Sequence, residues 1–180
     1  VFSGATVVDW NNTSGFQDGD HPPLVAMFTH HSKFDEQVQS LAYSTDGGDT
    51  WQMYEGNPVI GNPGMPDFRD PKVFRHEASD SWVMVLAAGD VINFYKSPDL
   101  REWELVSDFG RGIGMHGHFW ECPDLFELPV EGTVDSRWVL LASINPGAPN
   151  GGSGTQYFIG RFDGRKFVAD HADVRWLDYG

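Results

Sequence analysis

Phe68-Arg69-Asp70-Pro71-Lys72-Val73-Phe74 sets an Arg-Asp pair directly before a proline and runs at once into an alternating strand. Proline lacks a backbone donor and disfavours helix for the residue before it, so the stretch reads as the first strand of a β-sheet blade. In an extended backbone adjacent side chains leave on opposite faces, which separates Arg69 from Asp70. A second stretch, Trp120-Glu121-Cys122-Pro123-Asp124-Leu125-Phe126, again places an acid ahead of a proline and an apolar-alternating strand. Two acids, Asp70 and Glu121, delivered in the same way by two copies of one unit would converge on one pocket.

That unit recurs along the chain. Strands are expected at 3–8, 24–28, 38–44 and 52–54, then at 72–74, 82–87, 91–95 and 104–106, then at 125–126, 138–143 and 156–159. Arg161 to Phe167 closes the third unit, and Val174-Arg175-Trp176-Leu177 is expected to open another. Short strands in repeats, with an Asp-containing turn and an aromatic residue ahead of the last strand, are the pattern of a β-propeller blade. The turn Ser44-Thr45-Asp46-Gly47-Gly48-Asp49-Thr50-Trp51 has the Asp-box form, in which Asp46 bonds the turn's own backbone and Trp51 packs between sheets. Three blades and one strand leave edges and apolar faces open, so the array is expected to be unstable alone.

Composition agrees with this architecture. The 21 Gly and 11 Pro among 180 residues suit short strands and turns rather than long helices. A net charge of −14 argues against nucleic acid and anionic membrane surfaces as partners and is compatible with a neutral ligand. No stretch approaches the roughly 18 apolar residues of a membrane span. Cys122 is the sole cysteine, so no disulfide can close within these residues. The chain opens at Val1 and ends at Gly180, and is expected to be an excerpt of a longer polypeptide.

Spacing alone leaves Asp70 and Glu121 as either catalytic carboxylates or turn caps. Arg69 is either a surface ion-pair partner or a fork that orients a hydroxyl-rich ligand. His30-His31 and His116-Gly117-His118 read as loop histidines, with no metal expected, because a metal site needs a further ligand set. The acids of Asp18-Gly19-Asp20 and of Asp46 to Asp49 do not follow EF-hand spacing. Asn11-Asn12-Thr13 and Asn12-Thr13-Ser14 are glycosylation sequons, relevant only to a eukaryotic secreted protein.

The triplet Arg69-Asp70-Pro71 and the run Trp120-Glu121-Cys122-Pro123-Asp124 resemble glycoside hydrolase family 32, the β-fructofuranosidases (levanase, inulinase, invertase). So do Phe2-Ser3-Gly4, Asn11-Asn12-Thr13-Ser14-Gly15-Phe16, Ile144-Asn145-Pro146-Gly147, the run Gly151 to Phe158, and Asp178-Tyr179-Gly180. The resemblance implies an all-β, five-bladed propeller followed by a β-sandwich that lies outside this sequence. Within residues 1–180 it implies blade II at about 1–60, blade III at 66–110, blade IV at 118–170 and the start of blade V at 174–180.

By resemblance Glu121 is the general acid/base and Asp70 the transition-state stabiliser, while Arg69, Phe2, Ser3 and Cys122 line the fructose pocket. The implied activity is retaining hydrolysis that releases terminal β-D-fructose from sucrose, levan or inulin, without a cofactor, by a secreted protein. Retention requires a nucleophilic carboxylate about 5–5.5 Å from the acid/base. The family's nucleophile is an Asp in a Trp-Met-Asn-Asp-Pro-Asn-Gly-type motif that this sequence does not contain, so it is expected outside the chain, and these residues alone are expected to be inactive. Fructosyl transfer, which uses the same catalytic residues, and a non-catalytic sugar-binding propeller are the alternatives.

Overall fold

Every residue of the strand Ser81–Ala88 is buried in the computed structural model, which describes residues 1–34 and 36–179. Its side chains alternate between two apolar clusters. Trp82, Met84, Leu86 and Ala88 face one that contains Val25, Met27 and Leu41, and Val83, Val85 and Ala87 face one that contains Leu140, Phe158 and Phe162. A strand covered on both faces loses the apolar-polar alternation and reads as a continuous hydrophobic run. Each large side chain buried in this way contributes about 1.5–3 kcal/mol relative to exposure.

The strand belongs to the middle one of three sheets. The first holds β1 (Gly4–Val8), β2 (Leu24–His31), β3 (Gln37–Ser44) and β4 (Gln52–Met53). The second holds β5 (Phe68–His76), β6 (Ser81–Ala88), β7 (Val91–Ser97) and β8 (Glu104–Phe109). The third holds β9 (Trp120–Pro129), β10 (Ser136–Ile144), β11 (Gly154–Phe162) and β12 (Phe167–Ala169). Within each sheet the strands pair in sequence order and antiparallel, so the three are consecutive blades of a partial β-propeller. β13 (Trp176–Asp178) lies in the segment expected to open a further unit; here it pairs with β11, Asp178 opposite Thr155, beside the stretch that β12 occupies. Gly180 of the closing motif lies outside the described residues.

Two expectations need correction. The innermost strands β5 and β9 are far longer than 72–74 and 125–126, because each continues across its proline through a one-residue bulge. A bulge leaves a residue unpaired in the ladder, so a proline there forfeits no hydrogen bond. Trp51, expected between sheets, is 44% exposed and folds back on its own turn, its Nε1 donating to Gly48 O at 3.1 Å. The outer strand β4 is only two residues long.

The Asp turn itself is as expected and occurs in all three blades. Asp46 accepts from the Ser44 and Thr50 hydroxyls and from the Thr50 backbone, Asp99 from the backbone of Arg101 and Glu102, and Asp163 from Arg165 and Lys166. The Thr50 hydroxyl and backbone hold the Asp46 carboxyl well below its ordinary range.

Candidate active site

Asp70 and Cys122 share an uncommon backbone. Both have left-handed φ, 63° and 46°, and both sit at the bulge immediately before a proline. Aligning the bulges pairs Asp70 with Cys122 and Arg69 with Glu121, each pair 52 residues apart. The two acids are therefore not delivered in the same way. Asp70 occupies the bulge itself and Glu121 the residue before it. The left-handed turn also removes the expected separation of Arg69 and Asp70 onto opposite faces, since both reach across to β9.

Arg69 is the hub of the cluster. Its Nη2 lies 3.1 Å from Glu121 Oε1, and its Nη1 pairs with Asp67 and reaches Gln37 Oε1 at 3.4 Å. The guanidinium lies over the Phe119 ring, 4.8 Å from its centroid. Burial opposes the charge, but the bonds to Asp67 and Glu121 outweigh it and raise the guanidinium pKa further. Arg69 is thus buried and fixed in place, while the Glu121 side chain remains one-third open to solvent at 34%.

Asp70 is fixed from both sides. Its backbone N donates to Thr29 Oγ1 at 3.0 Å, and its Oδ2 accepts from Cys122 N at 3.0 Å with Cys122 Sγ at 3.6 Å. Among the described residues none donates to Asp70 Oδ1. Cys122 is exposed on one side; desolvation of the rest, followed by the Asp70 carboxylate, pushes its thiol up to about 11. That thiol is a protonated neighbour and not a nucleophile at neutral pH.

A cavity of about 230 Å³ opens against this cluster, lined by Ser3, Gly4, Asp70, Pro71, Lys72, Cys122, Pro123 and Asp124. Ser3 and the two bulge residues are thus brought together, with Arg69 and Glu121 one residue away along the strands. Phe2 stands beside Ser3, exposed, its ring stacked on His31 at 4.7 Å and its N donating to Thr29 O at 2.9 Å. His116 stacks on Trp120, with Nδ1 3.1 Å from Asp90 Oδ2, and His118 is exposed. Among the described residues no group of three or more His, Cys, Asp or Glu side chains has the geometry to hold a metal ion. A larger cleft of about 550 Å³ lies at the opposite strand ends, by Ser81, Ser97 and Trp103, away from this cluster.

Sequence reasoning missed the polar struts under the site. Gln39 Nε2 donates to Phe68 O at 2.8 Å and its Oε1 accepts from Thr29 Oγ1, while Gln37 Oε1 accepts from Phe68 N at 2.8 Å. These side chains of β2 and β3 dock the start of β5 onto the first blade. The available signal was Gln37 and Gln39 alternating in a strand with an otherwise apolar core. Asp67 pairs with Arg69. Asp9 is fully buried and accepts from the backbone and hydroxyls of Thr13 and Ser14, which fastens the loop after β1.

Inner strands of neighbouring blades that present two carboxylates and a buried guanidinium beside one cavity define a carboxylate-lined propeller site. The chain belongs to glycosyl hydrolases family 32: the model of that family's N-terminal domain matches residues 1–180. It is 56% identical to a levanase of Bacillus subtilis and 49% identical to an extracellular exo-inulinase of Meyerozyma guilliermondii, covering 100% of this chain and 27% and 35% of those proteins. The fold superimposes on a fructofuranosidase of Schwanniomyces occidentalis complexed with fructose with a TM-score of 0.93 at 45% identity, over 100% of this chain and 36% of that one. The chain thus spans about a third of the length of these relatives.

Proposed function

We propose that this chain carries the acid/base and the transition-state stabiliser of a retaining β-fructosidase, an enzyme that releases terminal β-D-fructose from sucrose or from levan- and inulin-type fructans. The three sheets are then blades two to four of a five-bladed propeller, with 174–180 leading to the fifth. The nucleophilic Asp is contributed from residues outside this sequence. The observation that carries the reading is the joining of Asp70 to Cys122 at one cavity, with the Arg69–Glu121 pair at the adjacent strand positions.

In this reading Glu121 protonates the glycosidic oxygen and then activates the water that releases fructose from the covalent intermediate. Arg69 orients it through the 3.1 Å bond, and the open side of the carboxyl faces the departing group. Asp70, with Oδ2 engaged by Cys122, has Oδ1 for hydroxyls of the fructosyl ring, where an anion favours the oxocarbenium-like transition state. Ser3 and Phe2 complete the wall of that subsite. Fructan substrates and secretion are supported by relatives named levanase and extracellular exo-inulinase.

The test is an assay of the full-length gene product on sucrose, levan and inulin with product analysis. Release of free fructose is expected. Accumulation of fructosylated oligosaccharides from sucrose would replace hydrolysis with transfer, and no turnover of any of the three would overturn the reading.

A further inference from the structure

β5 and β9 belong to different blades and share no ladder, since β5 pairs with β6 and β9 with β10. Besides the apolar cluster they share, three cross-strand links between equivalent positions join them, each 52 residues apart. Arg69–Glu121 and Asp70–Cys122 are the first two. The third is Lys72–Asp124, whose ammonium nitrogen lies 3.1 Å from Oδ1 and 3.2 Å from Oδ2 of the carboxylate. Both partners line the same cavity as Asp70 and Cys122. Only Pro71 and Pro123 separate this link from the bulge residues, and a proline's fixed φ transmits a displacement rather than absorbing it.

The pair is poorly placed to serve stability. Both side chains are more than one-third exposed, 38% and 35%, and an ion pair so open to water contributes little to folding. The geometry points to a different use: Lys72 and Asp124 are positioning residues that set the spacing of β5 and β9, and thereby hold Asp70 against Cys122 under the bound fructosyl ring. This rests on the reading of the site given above. Neither residue is assigned a contact with the sugar.

The experiment uses the full-length protein and the variants Lys72→Met, Asp124→Asn and the double variant. Kinetics are measured on sucrose and levan, and the rate of Cys122 alkylation by iodoacetamide is followed by peptide mass. A misplaced catalytic group costs up to about a hundred-fold, so each single variant should lower kcat/KM about ten- to hundred-fold, mostly in kcat, with thermal stability retained. The double variant should be no worse than either single one, and Cys122 should react several-fold faster in all three as its contact with Asp70 loosens. Losses that multiply in the double variant would mean that each residue acts alone and would overturn the pairing. Unchanged kcat/KM together with unchanged alkylation would overturn it as well. Should the wild-type protein release no fructose, the functional reading fails while the alkylation rates still judge the pair: faster reaction in the variants supports it and equal rates overturn it.

Discussion

The carboxylate of Asp70 accepts a hydrogen bond from the backbone of Cys122 at 3.0 Å, although the two residues occupy the same position in consecutive blades. Repetition of a fold ordinarily places equivalent residues around the ring at equal distances. Here the bulge before each proline turns one residue toward its own equivalent, so that one blade supplies an acceptor and the next a donor. The residue preceding each bulge repeats the pattern with opposite charges, Arg69 facing Glu121. Two copies of one backbone device, filled with different side chains, build an asymmetric site.

Glu121→Gln separates the acid role from binding. An amide cannot protonate a leaving alkoxide, so kcat on sucrose and levan should fall by about 10²–10⁴-fold. Fructosides with good leaving groups need little protonation in the first step and should retain much of their rate for that step, read as the initial burst of leaving group. Equal losses on both substrate types would remove Glu121 from the acid role.

Arg69→Lys keeps the charge and removes the fork. A single ammonium cannot serve Asp67, Gln37 and Glu121 together, nor lie flat over Phe119. Loss of one charge-assisted bond predicts a fall in kcat/KM of about ten- to hundred-fold. A kinetically silent variant would show that Glu121 is positioned by something other than the guanidinium.

Much of this arrangement is legible in the residues themselves. The blades follow from the spacing of short strands and turns, and the approach of the strands that carry Asp70 and Glu121 follows from their shared proline-marked pattern. The offset by one residue does not. It depends on a left-handed Cys122, a conformation that cysteine seldom adopts and that no side-chain pattern announces. Thr29, Gln37 and Gln39 were hidden for another reason: their partners on β5 lie 29 to 41 residues away, and polar residues in a strand carry no label for what they will meet. Trp51 differs from Trp103, which makes the same bond to its own turn but packs against the cluster shared by the first two sheets; among the described residues no sheet precedes the one that carries Trp51.

Asp46→Ala tests the turn of the first blade. The carboxylate is held low by the Thr50 hydroxyl, then by the Thr50 backbone and the Ser44 hydroxyl, so the folded state favours its ionised form. A depressed pKa contributes stability that is present above the ordinary value of 3.8 and is lost as pH falls toward the folded value. The variant should therefore melt below wild type at pH 7, and the gap should narrow as pH drops below 3.8. A gap independent of pH would assign the effect to the lost side-chain volume instead of the charge.

The last prediction concerns Cys122, whose thiol is raised from 9.0 to about 11 by desolvation first and by the Asp70 carboxylate second. The folded state thus favours the neutral thiol, which contributes stability below pH 9.0 that is lost as pH climbs through about 11. Alkylation of Cys122 in the native protein should accordingly be slow at pH 8 and accelerate only well above pH 9.0. Asp70→Asn removes the neighbouring charge, so the midpoint should move down and the rate at pH 8 should rise, even though the same variant loses catalysis. The two readouts then move in opposite directions from one substitution. An alkylation midpoint that is the same in wild type and Asp70→Asn would mean that the Asp70 carboxylate does not press on the thiol.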